Sequence, residues 1–280
     1  MPISAFDPAL LAILLGSVVG VVLALTGAGG GILAVPLLVF GLHLPMQQAA
    51  PIGLLAVGLA AALGAALGLR EGIVRYRAAT LIGVTGMLLA PFGIWLAQRL
   101  PDAPLMVAFS GVLAWTAWRM LRQSRHHDTT ASVGGDVLPA CRVAATDRRL
   151  DWTLPCARAM ALTGAISGTL SGLLGVGGGF VIVPALTSHT NLDARSILAT
   201  SLAVIAMVSV GGVSAAALQG SISWPVALPF AAGAVVSLLA GRLVATRIGG
   251  RHLRMTFALV SLAVSTLLLA RGLGLGPLNP

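Results

Sequence analysis

The 280-residue chain is 57% hydrophobic and 9% charged, with a mean hydropathy of +0.97, whereas soluble domains average about 25% charged residues. This composition excludes a soluble globular or disordered protein and indicates an integral membrane protein. The formal net charge of +9 rests on 17 basic residues, all arginine. They fall at the ends of apolar stretches or in loops, and no run pairs them with aromatic stacking positions, which argues against nucleic-acid binding.

The N-terminal MPISAFDPAL lacks the positive n-region of a secretory signal, so the first apolar segment is expected to stay in the mature protein. Long apolar stretches follow near residues 9–25, 46–69, 78–98, 103–121, 159–174, 197–218, 224–246 and 255–270. Most are long enough for a bilayer core, which needs roughly 20 residues of helix. Helices must span, because barrel strands would alternate polar and apolar residues. Between the fourth and fifth stretches, residues 122–156 carry charges, Gly, Pro and Thr. They read as a flexible linker between a first transmembrane repeat (1–121) and a second (157–280).

That division follows from a duplication. GAGGGILAVP at 27–36 returns as GVGGGFVIVP at 175–184, a shift of 148 positions from Gly31 to Gly179. The same shift pairs Gly16 with Gly164, Gly20 with Gly168, Gly64 with Gly212, Gly72 with Gly220, Gly93 with Gly241, Arg99 with Arg247 and Phe109 with Phe257. Duplicated halves, each with a glycine- and proline-interrupted apolar segment at the corresponding place, point to a transporter's binding site.

Arginine placement then bears on topology. Arg122, Arg125, Arg142, Arg148 and Arg149, with Arg119 and Arg158 at the borders, assign the linker to the cytoplasm. Four crossings per half would leave Arg247, Arg251 and Arg254 outside. Five, counting the short segments 32–42 and 180–190, place both 247–254 and the loop with Arg70, Arg75 and Arg77 inside. The expected fold is therefore an all-α polytopic membrane protein of two inverted homologous halves, each with four long transmembrane helices and one short broken helix, with both termini outside. The short segments strain this scheme, since about 11 helical residues rise only some 17 Å.

The glycine runs precede the short segments, so their backbone N–H groups form the positive end of a helix dipole, which suits an anion. Glycine allows left-handed dihedrals and close approach of a ligand, while Pro36 and Pro184 each free a carbonyl one turn back. The plainer reading, close helix packing, fits the GxxxG spacings of Gly16 with Gly20 and Gly164 with Gly168. A triple glycine followed by proline instead breaks a helix. Thr200 and Ser201 are candidate hydroxyl donors, with Ile52 and Gly53 as their first-half counterparts. Bonding to their own helix backbone is the competing role. Gln47, Gln48 and Thr26 are weaker candidates.

No Asp or Glu falls inside a predicted span, so a carboxylate proton relay is absent. His43 and His189 sit near the ends of the short segments, Arg242 snorkels at the end of its span, and Trp95, Trp115, Trp118 and Trp224 read as interfacial anchors. Cys141 and Cys156 are expected as free thiols, because with His126 and His127 they match no zinc-ligand spacing and a cytoplasmic linker disfavours a disulfide. Metal clusters, paired nucleophile and base, and the Lys and Ser or Thr of a phosphate loop are all missing, so neither an enzyme nor a cofactor is expected.

The paired GAGGGILAVPLL and GVGGGFVIVPAL elements, with ATSLAVI and the half-length repeat, resemble the TauE/SafE or sulfite exporter family over nearly the whole chain outside the linker. The first half departs from it with Pro51, Ile52 and Gly53 where a Thr-Ser element is expected, and the linker is longer and richer in arginine. The resemblance implies a permease of the bacterial cytoplasmic membrane for sulfite, organosulfonates or related small anions, working by alternating access. Gly27, Gly29, Gly30, Gly31, Pro36, Gly175, Gly177, Gly178, Gly179, Pro184, Thr200 and Ser201 are the expected substrate-binding residues. The partners are the lipid bilayer and the anion, with room for a coupling proton or sodium ion and for a homo-oligomer. The competing functions are a passive anion channel and a scaffold whose linker recruits a partner.

Overall fold

A computed structural model describes residues 7–26, 30–125, 154–190, 193–245 and 250–273. Among these residues there are ten helices and no strand. They are α1 (Pro8–Thr26), α2 (Gly30–Gly41), α3 (Met46–Arg70), α4 (Tyr76–Arg99) and α5 (Asp102–Arg125), then α6 (Leu154–Leu174), α7 (Gly179–His189), α8 (Ala194–Leu218), α9 (Trp224–Ala245) and α10 (Gly250–Gly272). The eight long stretches and both short segments of the sequence are thus all helical. Four helices, α3, α4, α8 and α9, are long and apolar enough by length and composition to cross a membrane. With the remaining apolar helices they make a polytopic membrane protein.

The turns repeat as the sequence does. In the α3–α4 turn the Ile73 N–H donates to the Gly68 carbonyl and Gly72 to Leu69, and in the α8–α9 turn Ser221 donates to Ala216 and Gly220 to Ala217. This is the same C-terminal cap twice. It needs a left-handed residue, supplied by Gly72 and Gly220 with φ of 70° and 66°.

Packing exchanges helices between the halves. The first helix of each half lies on the fourth helix of the other, α1 on α9 and α6 on α4, while α3 packs on α8 and α5 on α10. Small residues set these contacts, as expected where helices have no hydrophobic drive to associate. A Cβ on Gly16 or Gly20 would fall on the backbone of Phe230 or Ala234, and one on Gly168 or Gly172 on the backbone of Gly86 or Ala90. The GxxxG pairs are therefore packing elements.

The same neighbours give helix directions. Gly16, Gly20 and Ala24 meet Phe230, Ala234 and Gly241, so α1 and α9 are parallel. Gly164, Gly168 and Gly172 meet Ile82, Gly86 and Ala90, so α4 and α6 are parallel too. Gly58, Gly64 and Gly68 of α3 meet Ser209, Leu202 and Ala199 of α8 in reverse order. The α5–α10 pair is likewise antiparallel, with Gly272 beside Val107 and the Ser265 hydroxyl donating to the Ser110 carbonyl at 2.8 Å. The short helix α2 runs against both neighbours: Gly30 and Gly41 approach Leu23 and Leu15 of α1, and Gly31 and Gly53 mark its reversed contact with α3.

Cys156, buried in the first turn of α6, is disulfide-bonded, which corrects the expectation of free thiols. Spacing spoke only against zinc, and a disulfide was disfavoured only by assigning the linker to the cytoplasm; the other cysteine of the sequence, Cys141, lies outside the described residues. So do His126, His127 and most of the linker.

Gly168→Ala should lower the melting temperature of the detergent-purified protein sharply, because its methyl group would overlap the Gly86 backbone. Gly111→Ala, whose Cβ meets nothing within 4 Å, should leave it unchanged or raise it.

Candidate functional site: the glycine loop at the centre of the bundle

Helix α6 stops because the chain turns left-handed at Gly175, Gly177 and Gly178, with φ of 71°, 76° and 71°. A side chain there would cost about 1–2 kcal/mol per residue. Space excludes one as well: a Cβ on Gly175 would meet the Ala50 backbone, and one on Gly178 would meet Ser167. Gly178 caps α7 with no side-chain hydrogen bond, and its carbonyl accepts from Val181 and Ile182 at 3.0 and 3.2 Å. The loop ends where α7 begins.

Its depth follows from its neighbours. Gly177 lies against Val57 and Ile205, which stand midway along α3 and α8. Gly31, at the start of α2, packs against Val57 and the Val176 carbonyl. The two glycine motifs therefore meet at the middle of the bundle, and every residue from Leu174 to Phe180 is buried.

Burial makes the hydrogen-bond inventory decisive. Gly175 donates its N–H to the Ser171 carbonyl at 2.8 Å. No acceptor among the described residues takes the N–H groups of Val176, Gly177, Gly178, Gly179 or Phe180. Buried backbone donors without partners are rare and costly. Five in succession, at the positive end of an 11-residue helix, make the kind of donor run that holds anions.

The expected site residues divide on this geometry. Gly175, Gly177, Gly178 and Gly179 form the loop, and Gly30 and Gly31 abut it from the other half, while Gly27 and Gly29 lie outside the described residues. Pro36 and Pro184 do not break their helices, which corrects that expectation. α2 and α7 continue through them, and the interruption lies at the glycines. Thr200 and Ser201 are buried on α8, more than a turn before Ile205. The Thr200 hydroxyl accepts the Arg75 N–H at 3.1 Å at the start of α4. The Ser201 hydroxyl donates to its own helix at the Leu198 carbonyl, 2.8 Å away. Gln47 donates to the Leu100 carbonyl at 2.9 Å, so it ties the α4–α5 link to α3, and Gln48 is exposed.

Sequence reasoning missed Ser167 and Ser171. Ser167 donates its hydroxyl to the Gly178 carbonyl at 3.2 Å, and Ser171 is fully buried one turn later. The signal was present in SGTLSG, two serines at helical spacing just ahead of the glycine run.

A family profile described as sulfite exporter TauE/SafE matches residues 12–268. The chain belongs to this family. Its curated relatives include a protein of Xylella fastidiosa, named a probable membrane transporter protein, which is 28% identical over 89% of this chain and 90% of its own length. One of Methanocaldococcus jannaschii with the same description is 25% identical over 88% and 89%. A third, from Bacillus subtilis, is 26% identical over 72% and 76%. No solved structure matches the chain at a significant level. Family and relatives identify a membrane transporter, consistent with a non-enzyme.

Thr200→Val removes the acceptor of the part-buried Arg75 N–H, so it should destabilise the protein by about 1 kcal/mol. The apparent KM for a transported anion should not move, measured by melting temperature and by uptake into proteoliposomes.

Proposed function

We propose that this protein is a secondary transporter of small oxyanions, sulfite or organosulfonates among them, which binds its substrate at the Gly175–Phe180 loop and carries it by alternating access. The observation that carries this reading is the run of buried N–H groups at mid-bundle without acceptors among the described residues. Substrate sites of repeat-built transporters lie near the bilayer midplane at interrupted helices whose N-termini face the anionic group. Gly30 and Gly31 wall the site from the first half; Pro36 and Pro184 serve the helices behind it. Thr200 and Ser201, with hydroxyls engaged elsewhere, support the frame.

Helix directions support inverted halves. α3 and α8, and α5 and α10, are equivalent pairs that run antiparallel. α1 follows α9 while α6 follows α4. With α2 and α7 each reversing the chain, five alternations per half support the inversion, although the two short helices rise only about 17–18 Å.

These directions put Arg70, Arg75, Arg77, Arg125, Arg158 and Arg195 at one end of the bundle, and Arg99 and Arg271 at the other. The positive-inside rule places the first group in the cytoplasm of an inner membrane. A disulfide at Cys156 favours an oxidising compartment. Arginines from several separate connections outweigh one bond. A C-terminal alkaline phosphatase fusion should accordingly be active and a cytoplasm-dependent fluorescent fusion dark; the reverse pattern would invert the orientation.

Purified protein in liposomes should take up sulfite saturably and accelerate its entry when sulfite is preloaded inside. Linear flux without counterflow would show a channel, and no flux of sulfite, thiosulfate, sulfoacetate or carboxylates would remove the transport reading.

A further inference from the structure

The donor surface at the glycine loop has a second component. Ser171 is completely buried, and its hydroxyl has no hydrogen-bond partner among the described residues. A serine or threonine in a helix ordinarily returns its proton to a carbonyl three or four residues back, as buried Ser201 and the more exposed Ser214 and Thr169 do here. Ser171 does not. Its position on α6 sets it close to the loop. Ser167, one turn earlier on the same face of α6, reaches the Gly178 carbonyl at the far end of the loop. The near end of the loop is tied to Ser171 itself, through the Gly175 N–H on the Ser171 carbonyl. Ser171 therefore stands on the face of α6 along which the loop folds back from Gly175 to Gly178.

The corresponding face of the first half is apolar. The 148-residue shift sets Val19 and Leu23 against Ser167 and Ser171, both are buried, and Leu23 packs against Gly30. Among the described residues, side-chain donors thus come from the second half alone. Ser209 and Ser261 also hold unpartnered buried hydroxyls; Ser209 lies against Gly58 of α3, one turn beyond Ile205, and Ser261 belongs to α10.

We infer that Ser171 is a specificity-determining substrate ligand, and that the transporter has one asymmetric oxyanion site in its second half instead of two equivalent sites. This rests on the reading of the loop as the substrate site. Neutral donors alone, backbone N–H groups on one side and a hydroxyl on the other, suit an anion with separated acceptor oxygens over a spherical halide. A hydroxyl also accepts, so it tolerates a protonated oxyanion oxygen where a second N–H would not.

The test is sulfite counterflow in proteoliposomes. Ser171→Ala should raise the apparent KM for sulfite about 10-fold or more, the scale of a lost hydrogen bond to a charged group, with Ser261→Ala near wild type. Ser171→Thr and Ser171→Val have nearly the same shape and differ in the hydroxyl. Threonine should keep a KM near wild type and valine should raise it, which separates donation from packing even if the alanine variant folds poorly. An unchanged KM in Ser171→Ala, or equal KM values for the threonine and valine variants, would overturn the inference. If Gly178→Ala then abolishes transport, the loop reading survives without Ser171. If wild-type protein shows no saturable flux of any oxyanion, the loop reading falls, and this inference with it.

Discussion

The structure turns on one requirement: a backbone interrupted inside an apolar bundle must still satisfy its polar groups. The chain meets it at both ends of the interruption. Gly175 returns its N–H to α6, and the Gly178 carbonyl is shared by two amides of α7 and the Ser167 hydroxyl. The N–H groups between them are left for something outside the described chain. An isolated helix end would bring a similar partial charge to the membrane surface, where water would quench it. Here it is held against Val57 and Ile205, in the middle of the two longest helices.

Keeping that loop buried requires the surrounding helices to approach closely. Gly16 and Gly20 on α1, and Gly164, Gly168 and Gly172 on α6, bring backbones together at places where any side chain would collide with a neighbouring main chain. These contacts join the two halves, so neither half encloses the loop alone. The lipid-facing side has the opposite character. Trp95, Trp115, Trp118 and Trp224 are each near half exposed, and the Arg99 guanidinium lies 4.2 Å from the Trp95 ring centroid, an arrangement suited to an interface.

Much of this was legible in the residues. Long apolar runs without alternation predicted helices, and all ten formed near the expected positions. The repeated glycine motif marked the interruption. Other features were not legible, for identifiable reasons. Proline suggested broken helices, but a short helix can carry Pro36 or Pro184 because proline costs only the bonds of one turn. Thr200 and Ser201 had the right chemistry for donors, yet which partner a hydroxyl takes depends on the neighbouring helix, and Thr200 meets the start of α4. The pairing of Cys156 depends in the same way on what lies beside it.

By itself, the sequence determined the membrane class, the duplication, the helices and the places where the chain is interrupted, because these follow from local hydrophobicity and from the dihedral freedom of glycine. Tertiary structure decided which helices exchange between the halves, and that the two glycine motifs meet at mid-depth. It also decided that they do so unequally. Val19 and Leu23 against Ser167 and Ser171 look like ordinary divergence between repeats. Only the folding of Gly178 back onto Ser167 brings that divergence to the loop, because which residues face it depends on what the fold, not the chain, brings together.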